Sequence, residues 1–197
     1  YRSDNNNQYL PDESIFTAIE QEVLASGQFI DWEKELLRTA ATQNHNLSFS
    51  TGTGKTRIYT GLNYSKREGV VPGTDFQRGT LRINVDQTIN RWLKIGANTS
   101  WQLSKNNNPG TGETLLRSIT TSPLGKIYND DGSYRIYPTG VQESINPLLD
   151  LAEVSNTRND RNDIMNLFLD VTPLKGLSYR VNASRRSWNR KTMNYAT

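Results

Sequence analysis

From about Gln43 onward, apolar and polar residues alternate with a period of two, the signature of a strand with one face away from water. Leu47 and Phe49 alternate with Asn46, Ser48 and Ser50, and Gly52-Thr53-Gly54 turns the chain back. In the return strand, Lys55 to Lys66, Ile58, Leu62 and Tyr64 share a face with Thr56 and Thr60, and Arg57, Asn63 and Ser65 take the other. Leu81, Ile83, Val85 and Ile89 then alternate with Arg82, Asn84, Asp86 and Thr88. After a tight turn near Asn90-Arg91, the run Leu93 to Leu103 alternates with Lys94, Gly96, Asn98, Ser100 and Gln102. A last pair runs from about Asp160 to Val171, turns at Thr172 to Gly176, and returns through Leu177, Tyr179, Val181 and Ala183. The pattern predicts about six antiparallel strands, several near the ~10 residues a membrane-crossing strand needs.

The first forty residues follow a different period. After a polar start, Asp4 to Asn7, the segment Pro11-Asp12-Glu13-Ser14 leads into Ile15, Ile19 and Val23 at four-residue spacing, and Gly27 closes the run. This predicts a short amphipathic helix. A second is expected over Trp32 to Leu37, with Asp31 as its N-cap.

The connections between strands run short, long, short, long, short, with the longest from Lys105 to about Asn159. An outer-membrane barrel has this order, with short periplasmic turns and long extracellular loops, and a soluble sandwich has no need of it. Aromatics lie toward strand ends, as Tyr64, Trp92 and Trp101, where interface girdles belong. The same alternation also fits a secreted or surface β-sandwich that binds carbohydrate, with the apolar faces forming a dry core. In the barrel reading the polar face lines a wet lumen and carries Arg57, Arg82, Asn84, Asp86, Lys94 and Asn98.

Composition narrows the choice. Only 34% of the 197 residues are hydrophobic, and mean hydropathy is −0.71, so no membrane-spanning helix is encoded. A barrel strand, polar at every second position, is compatible with both values. Four Trp, nine Tyr and five Phe argue against a disordered chain. Twenty-three basic against 20 acidic residues leave a net charge of +3, too balanced to suggest a nucleic-acid partner. With Cys 0, disulfides, thiolate metal sites and a cysteine nucleophile are excluded.

Candidate chemistry is sparse. His45 is the lone histidine and has no second metal ligand nearby in sequence. Gly54-Lys55-Thr56 ends like a phosphate loop, but the leading Gly would fall on Phe49. Asn129-Asp130-Asp131-Gly132-Ser133 lacks the spacing and closing Glu of a calcium loop; flanked by Tyr128 and Tyr134, it predicts a β-hairpin with an Asp-Gly turn. Tyr128, Tyr134 and Tyr137 in that loop are candidates to stack on a sugar ring or meet a partner protein, and also to pack within the loop itself. No catalytic constellation, metal site or cofactor site emerges, and an enzyme is not expected.

The segments Asp31-Trp32, Glu35 to Ala40, Gln43 to Ser48, Gly52 to Tyr59 and Leu62-Asn63-Tyr64 resemble the barrel of the SusC/RagA family of TonB-dependent outer-membrane transporters. Glu68 to Val71, Phe76-Gln77-Arg78, Leu81 to Asn84, Trp92 to Asn98 and Pro173 to Arg180 are similar to its following strands in the same order. The resemblance implies an all-β fold, an antiparallel transmembrane segment of about six strands from a barrel of the ~22-stranded, plugged class. It implies residues 1–42 as an extracellular loop with short helices, 43–104 as strands, 105–159 as a long extracellular loop, and 160–197 as strands. It further implies uptake of a large nutrient, an oligosaccharide or a peptide, across the outer membrane of a Bacteroidetes-type bacterium. The implied partners are a SusD-like surface lipoprotein, TonB acting through parts outside this chain, and outer-membrane lipid. No plug, TonB box or closing aromatic strand is recognisable in the 197 residues, so the chain reads as an internal piece of barrel wall.

Overall fold

The computed structural model describes residues 10–108 and 111–196; the polar start at Asp4 to Asn7 lies outside them. Six strands form one antiparallel sheet in sequence order: β1 (Thr42–Gly52), β2 (Thr56–Glu68), β3 (Asp75–Asn90), β4 (Leu93–Asn107), β5 (Val154–Leu174) and β6 (Leu177–Ala196). Before the sheet lie α1 (Asp12–Ile15), α2 (Ala18–Ser26) and α3 (Trp32–Leu36). Between β4 and β5 lie α4 (Thr111–Thr120) and α5 (Leu149–Glu153). Among the described residues no helix is long and apolar enough to cross a membrane.

The three short turns all sit at one end of the sheet, and the helices, the 69–74 connection and the 108–153 connection sit at the other. Several expected boundaries move. β3 begins at Asp75, six residues before the alternation becomes clean at Leu81, and β5 and β6 reach 21 and 20 residues. The longest connection is correspondingly shorter than 105–159 and carries two helices. The single helix expected across Ile15 to Leu24 is two. Thr17 accepts from the Glu20 amide while the Glu20 carboxylate accepts from the Thr17 amide, a capping box that starts a new helix where the periodicity alone suggested continuation. Gly27, at φ 68°, ends α2 in the left-handed region, and Asp31 caps α3 as expected.

The buried core is in the loop-end cap and not in the sheet. Trp32 and Leu36 of α3 pack with Val71 and Leu148, supported by Leu115, Ile127 and Tyr134. Hydrogen bonds fasten the N-terminal helices to the long connection: Trp32 Nε1 donates to Ser122 O at 2.9 Å, Thr17 Oγ1 to Thr139 O at 2.6 Å, and Lys126 Nζ to Glu22 at 2.6 Å. Asn146, fully buried, ties both flanks of the loop hairpin together by donating to Ile127 O and Arg135 O.

The sheet is a single layer. Leu47 is 68% exposed, Phe49 62% and Leu103 62%, values no dry sandwich core would allow. Pairing places Leu47, Leu62, Leu81 and Trp101 in one row across four strands. The same row continues to Asp163 and Ser187, so the apolar band does not follow the rows. Its middle lies at Val181 in β6, level with Ile95, and between Leu47 and Phe49 in β1, level with Thr99 to Trp101. The band thus climbs about one residue per strand. One rise of ~3.3 Å for each ~4.8 Å strand spacing sets a tilt of about 35° between the strands and the normal to the band. Barrels that cross membranes tilt their strands by ~35–45°. Trp92 and Trp101 stand nine residues apart along the chain, about 30 Å of strand, or about 25 Å once tilted, matching an apolar band of ~25 Å between two aromatic girdles.

Candidate functional site

Residues directly opposite in an antiparallel pair share a face, so the register decides which expected site residues come together. Arg57 opposes Asp86, which opposes Gly96; Asn84 opposes Asn98; Arg82 opposes Ser100; Lys94 opposes Thr88. Arg57, Arg82, Asn84, Asp86, Lys94 and Asn98 therefore stand on one face, the one opposite the apolar band.

Toward the short-turn end of this face, charge and an aromatic are interlocked. Lys94 Nζ lies 3.7 Å from Asp86, and Arg180 holds Asp170 through Nε and Nη2, the latter at 2.6 Å. The Phe168 ring lies between the two cations, 5.8 Å from Lys94 Nζ and 5.1 Å from the Arg180 guanidinium. Gly96 makes this possible: a Cβ there would fall 2.2 Å from the ring, so only a residue without a side chain lets Phe168 lie flat on the wall.

Toward the loop end the same face carries Asp160 between two arginines. Arg190 Nε donates to its Oδ1 at 2.7 Å, and Arg158 Nε lies 3.2 Å from its Oδ2. Arg190 also covers the Trp188 ring at 4.6 Å. Phe168, Asp170 and Arg180, like Asp160, Trp188 and Arg190, belong to the site but were not expected there. Alternation through Arg186, Trp188 and Arg190 was available as a signal in sequence; Phe168 offered none, since an aromatic in a strand reads as facing the apolar side.

In the loop-end cap, Tyr128 and Tyr134 pair across an isolated bridge, their rings stacked at 5.2 Å, with Gly132 at φ 82° in the turn between them. Tyr134 is half-buried against the Trp32 cluster, and burial pushes its phenol above the usual range; Tyr128 is 49% exposed. Asp131 accepts from the Ser133 hydroxyl at 2.6 Å and amide at 2.9 Å, which holds its carboxyl below the usual carboxylate range. Tyr137 sits beyond the hairpin, at the start of the turn closed by Gly140 N to Tyr137 O at 3.0 Å. His45 stacks on Tyr64 at the loop-end edge of the apolar face, 6.3 Å between centroids. Among the described residues no three His, Cys, Asp or Glu side chains gather as a metal site would require.

No protein-family model matches the chain. It is 30% identical over 146 residues to TonB-dependent receptor P26 of Formosa agariphila, covering 73% of this chain and 14% of that protein. It is 30% identical over 119 residues to TonB-dependent receptor P3 of the same organism, and 25% identical over 117 residues to TonB-dependent receptor SusC of Bacteroides thetaiotaomicron. These two matches cover 56% and 59% of this chain and 12% of each relative. The chain thus spans 12 to 14% of the length of these relatives. In fold it is similar to the RagAB peptide importer in its closed-closed state, with a TM-score of 0.69 and 24% identity over 86% of this chain and 20% of that one.

Proposed function

With sequence and fold both those of TonB-dependent receptors of the SusC/RagA type, we propose that this chain is a stretch of barrel wall in an importer of large nutrients. The observation that carries the reading is the single-layer sheet whose tilted apolar band has nothing packed on it. Lipid satisfies such a band, and the antiparallel pairing of β1 through β6 supplies the strand-to-strand hydrogen bonds a bilayer demands, with the outer edges of β1 and β6 left for neighbouring strands of a larger barrel. The apolar face meets outer-membrane lipid, and the face of Arg57, Arg82, Asn84, Asp86, Lys94 and Asn98 lines the lumen.

The short turns at 53–55, 91–92 and 175–176 then face the periplasm. The cap built from the N-terminal helices and the 108–153 connection faces outward as the mouth. There, exposed Tyr128 and the apolar Leu116 and Ile119 of α4 offer contacts to the cargo or to a SusD-like lipoprotein lid, with Tyr134 and Tyr137 behind them. The cargo is an oligosaccharide or a peptide, the host a Bacteroidetes-type bacterium, and TonB acts through parts of the full-length protein beyond this segment. The wall guides passage and performs no reaction.

Single cysteines at Leu81, Ile83, Leu93 and Ile95 of the full-length protein, labelled with a fluorophore in lipid vesicles, test the reading. Lipid-borne quenchers are expected to dim all four, and water-soluble quenchers to dim labels at Arg82 and Lys94. Shielding of the first four from lipid would leave the carbohydrate-binding sandwich as the better account.

A further inference from the structure

The charge on the polar face is not evenly spread. From the row of Arg82 to the loop end, this face carries Arg67, Arg78, Arg82, Arg158, Arg186 and Arg190 against one carboxylate, Asp160. Asp160 is already engaged by Arg190 and Arg158. Toward the short turns the cations are matched far more closely, Lys94 by Asp86 and Arg180 by Asp170. The outer half of the face therefore holds most of the unneutralised positive charge of a chain whose net charge is only +3.

Register turns four of these arginines into a defined array. Arg82 and Arg186 end one row, through Ser100 and Ile164, and Arg78 and Arg190 end another, through Ser104 and Asp160. Arg78 lies four residues from Arg82 on β3, and Arg186 lies four from Arg190 on β6. The four thus mark a rectangle of about 13 Å along the strands and about 14 Å across them. All four are exposed; the side chains of Arg78 and Arg82 have no ion-pair or hydrogen-bond partner among the described residues, whereas Arg186 Nε donates to Asn162 at 3.3 Å and Arg190 Nε to Asp160 at 2.7 Å. The floor of the rectangle is mostly hydroxyl and amide, Ser100, Gln102 and Ser104 on β4 and Asn162 on β5, with Ile164 at one end, the Asp160 carboxylate at the other beside Arg190, and the Trp188 ring at the β6 side.

We infer that this array is a binding site for an acidic oligosaccharide, one bearing carboxylate or sulfate groups, on its way through the lumen. Guanidinium forks recognise such groups in bidentate fashion, and a floor of hydroxyls and amides suits a polyhydroxylated chain. A field of arginines in excess of carboxylate, two of them with unpartnered side chains, above a more closely neutralised lower half attracts an anion to the outer half without trapping it at the exit. The inference rests on the barrel-wall reading, because it needs this face to line the lumen.

The test uses the full-length transporter in detergent and isothermal titration with a hexauronate, neutral maltohexaose and hexaglutamate. The hexauronate is expected to bind, and Arg82→Gln with Arg186→Gln to weaken it by about tenfold or more, as does raising the salt. Adding Arg78→Gln and Arg190→Gln weakens it further, while heat-modifiable migration on gels confirms that the variants are folded. Maltohexaose binding as tightly as the hexauronate overturns the inference, as does an unchanged hexauronate affinity in the fourfold variant. Tighter binding of hexaglutamate overturns it in favour of an acidic peptide. A label at Arg82 separates the two levels: quenching from lipid sinks the wall reading itself, whereas aqueous quenching without hexauronate binding sinks only this site.

Discussion

Replacing Asn146 by Ala tests whether the loop-end cap is held together as the structure indicates. The side chain is fully buried, and it donates to Ile127 O and Arg135 O, each at 3.0 Å, while its Oδ1 accepts from the Leu148 amide at 3.0 Å. Ile127 O keeps a second donor, the Arg135 amide at 2.9 Å, so truncation orphans two groups, Arg135 O and Leu148 N. An unsatisfied buried group costs about 1–3 kcal/mol, so two set the loss at about 2–6 kcal/mol of local stability. Asn146→Asp is expected to be at least as damaging, since it restores the acceptor but turns the donor into a carboxylate facing two carbonyls. Hydrogen exchange on the full-length protein reads the effect: peptides from 124–149 and 12–36 are expected to exchange about 30-fold faster or more, with β3 and β4 unchanged as internal control. Protection in the cap within a factor of two of wild type would refute the argument, because it would mean that the three bonds do not organise it.

Other expectations follow from the two faces. Ile83→Arg, in the middle of the apolar band, should lower the free energy of folding into lipid vesicles by about 2–4 kcal/mol in a denaturant titration, whereas Asn84→Arg, one residue on, should cost little. Gly96→Ala drives a methyl group into the Phe168 ring and is expected to cost about 1–3 kcal/mol, recovered in large part by adding Phe168→Ala; failure of the second change to rescue the first would place the strain elsewhere. Because Asp131 is held below the usual carboxylate range, its contribution to the hairpin is full above the ordinary carboxylate pKa and is lost as pH falls through the lowered value. Exchange of the Ser133 amide, slow at neutral pH relative to its intrinsic rate, should lose its protection on acidification, and Asp131→Asn should abolish that dependence.

Strand number, order and the allocation of faces were readable because the apolar band writes its period into the chain, and all six polar positions expected from parity share one face. Strand ends were readable only while the band lasted. Past Met165 in β5 and Ala183 in β6 both faces become polar, with Asp163, Arg161, Arg185 and Ser187 on the outer one, so alternation fades although pairing continues. The α4 helix carried a signal that a polar loop disguised, Glu113 and Arg117 four residues apart and joined at 2.6 Å. Asn146 carried none, since a buried amide that bonds to backbone carbonyls looks in sequence like any loop asparagine. Phe168 is intelligible only with Gly96 opposite it, a relation between two strands that neither strand discloses alone.

On the barrel-wall reading proposed above, the uncovered apolar band bears on how such a wall drifts over time. A packed protein interior requires each side chain to match the shape of its neighbours, so substitutions there must be compensated. Fluid acyl chains require only that a side chain be apolar, and Leu, Ile, Val or Phe serve alike. A water-filled interior makes an equally loose demand on most polar positions. Steric constraint then falls mainly on turns and on glycine seats such as Gly96. A wall built this way keeps its architecture while its letters change, which accounts for a fold match of 0.69 persisting at 24% identity.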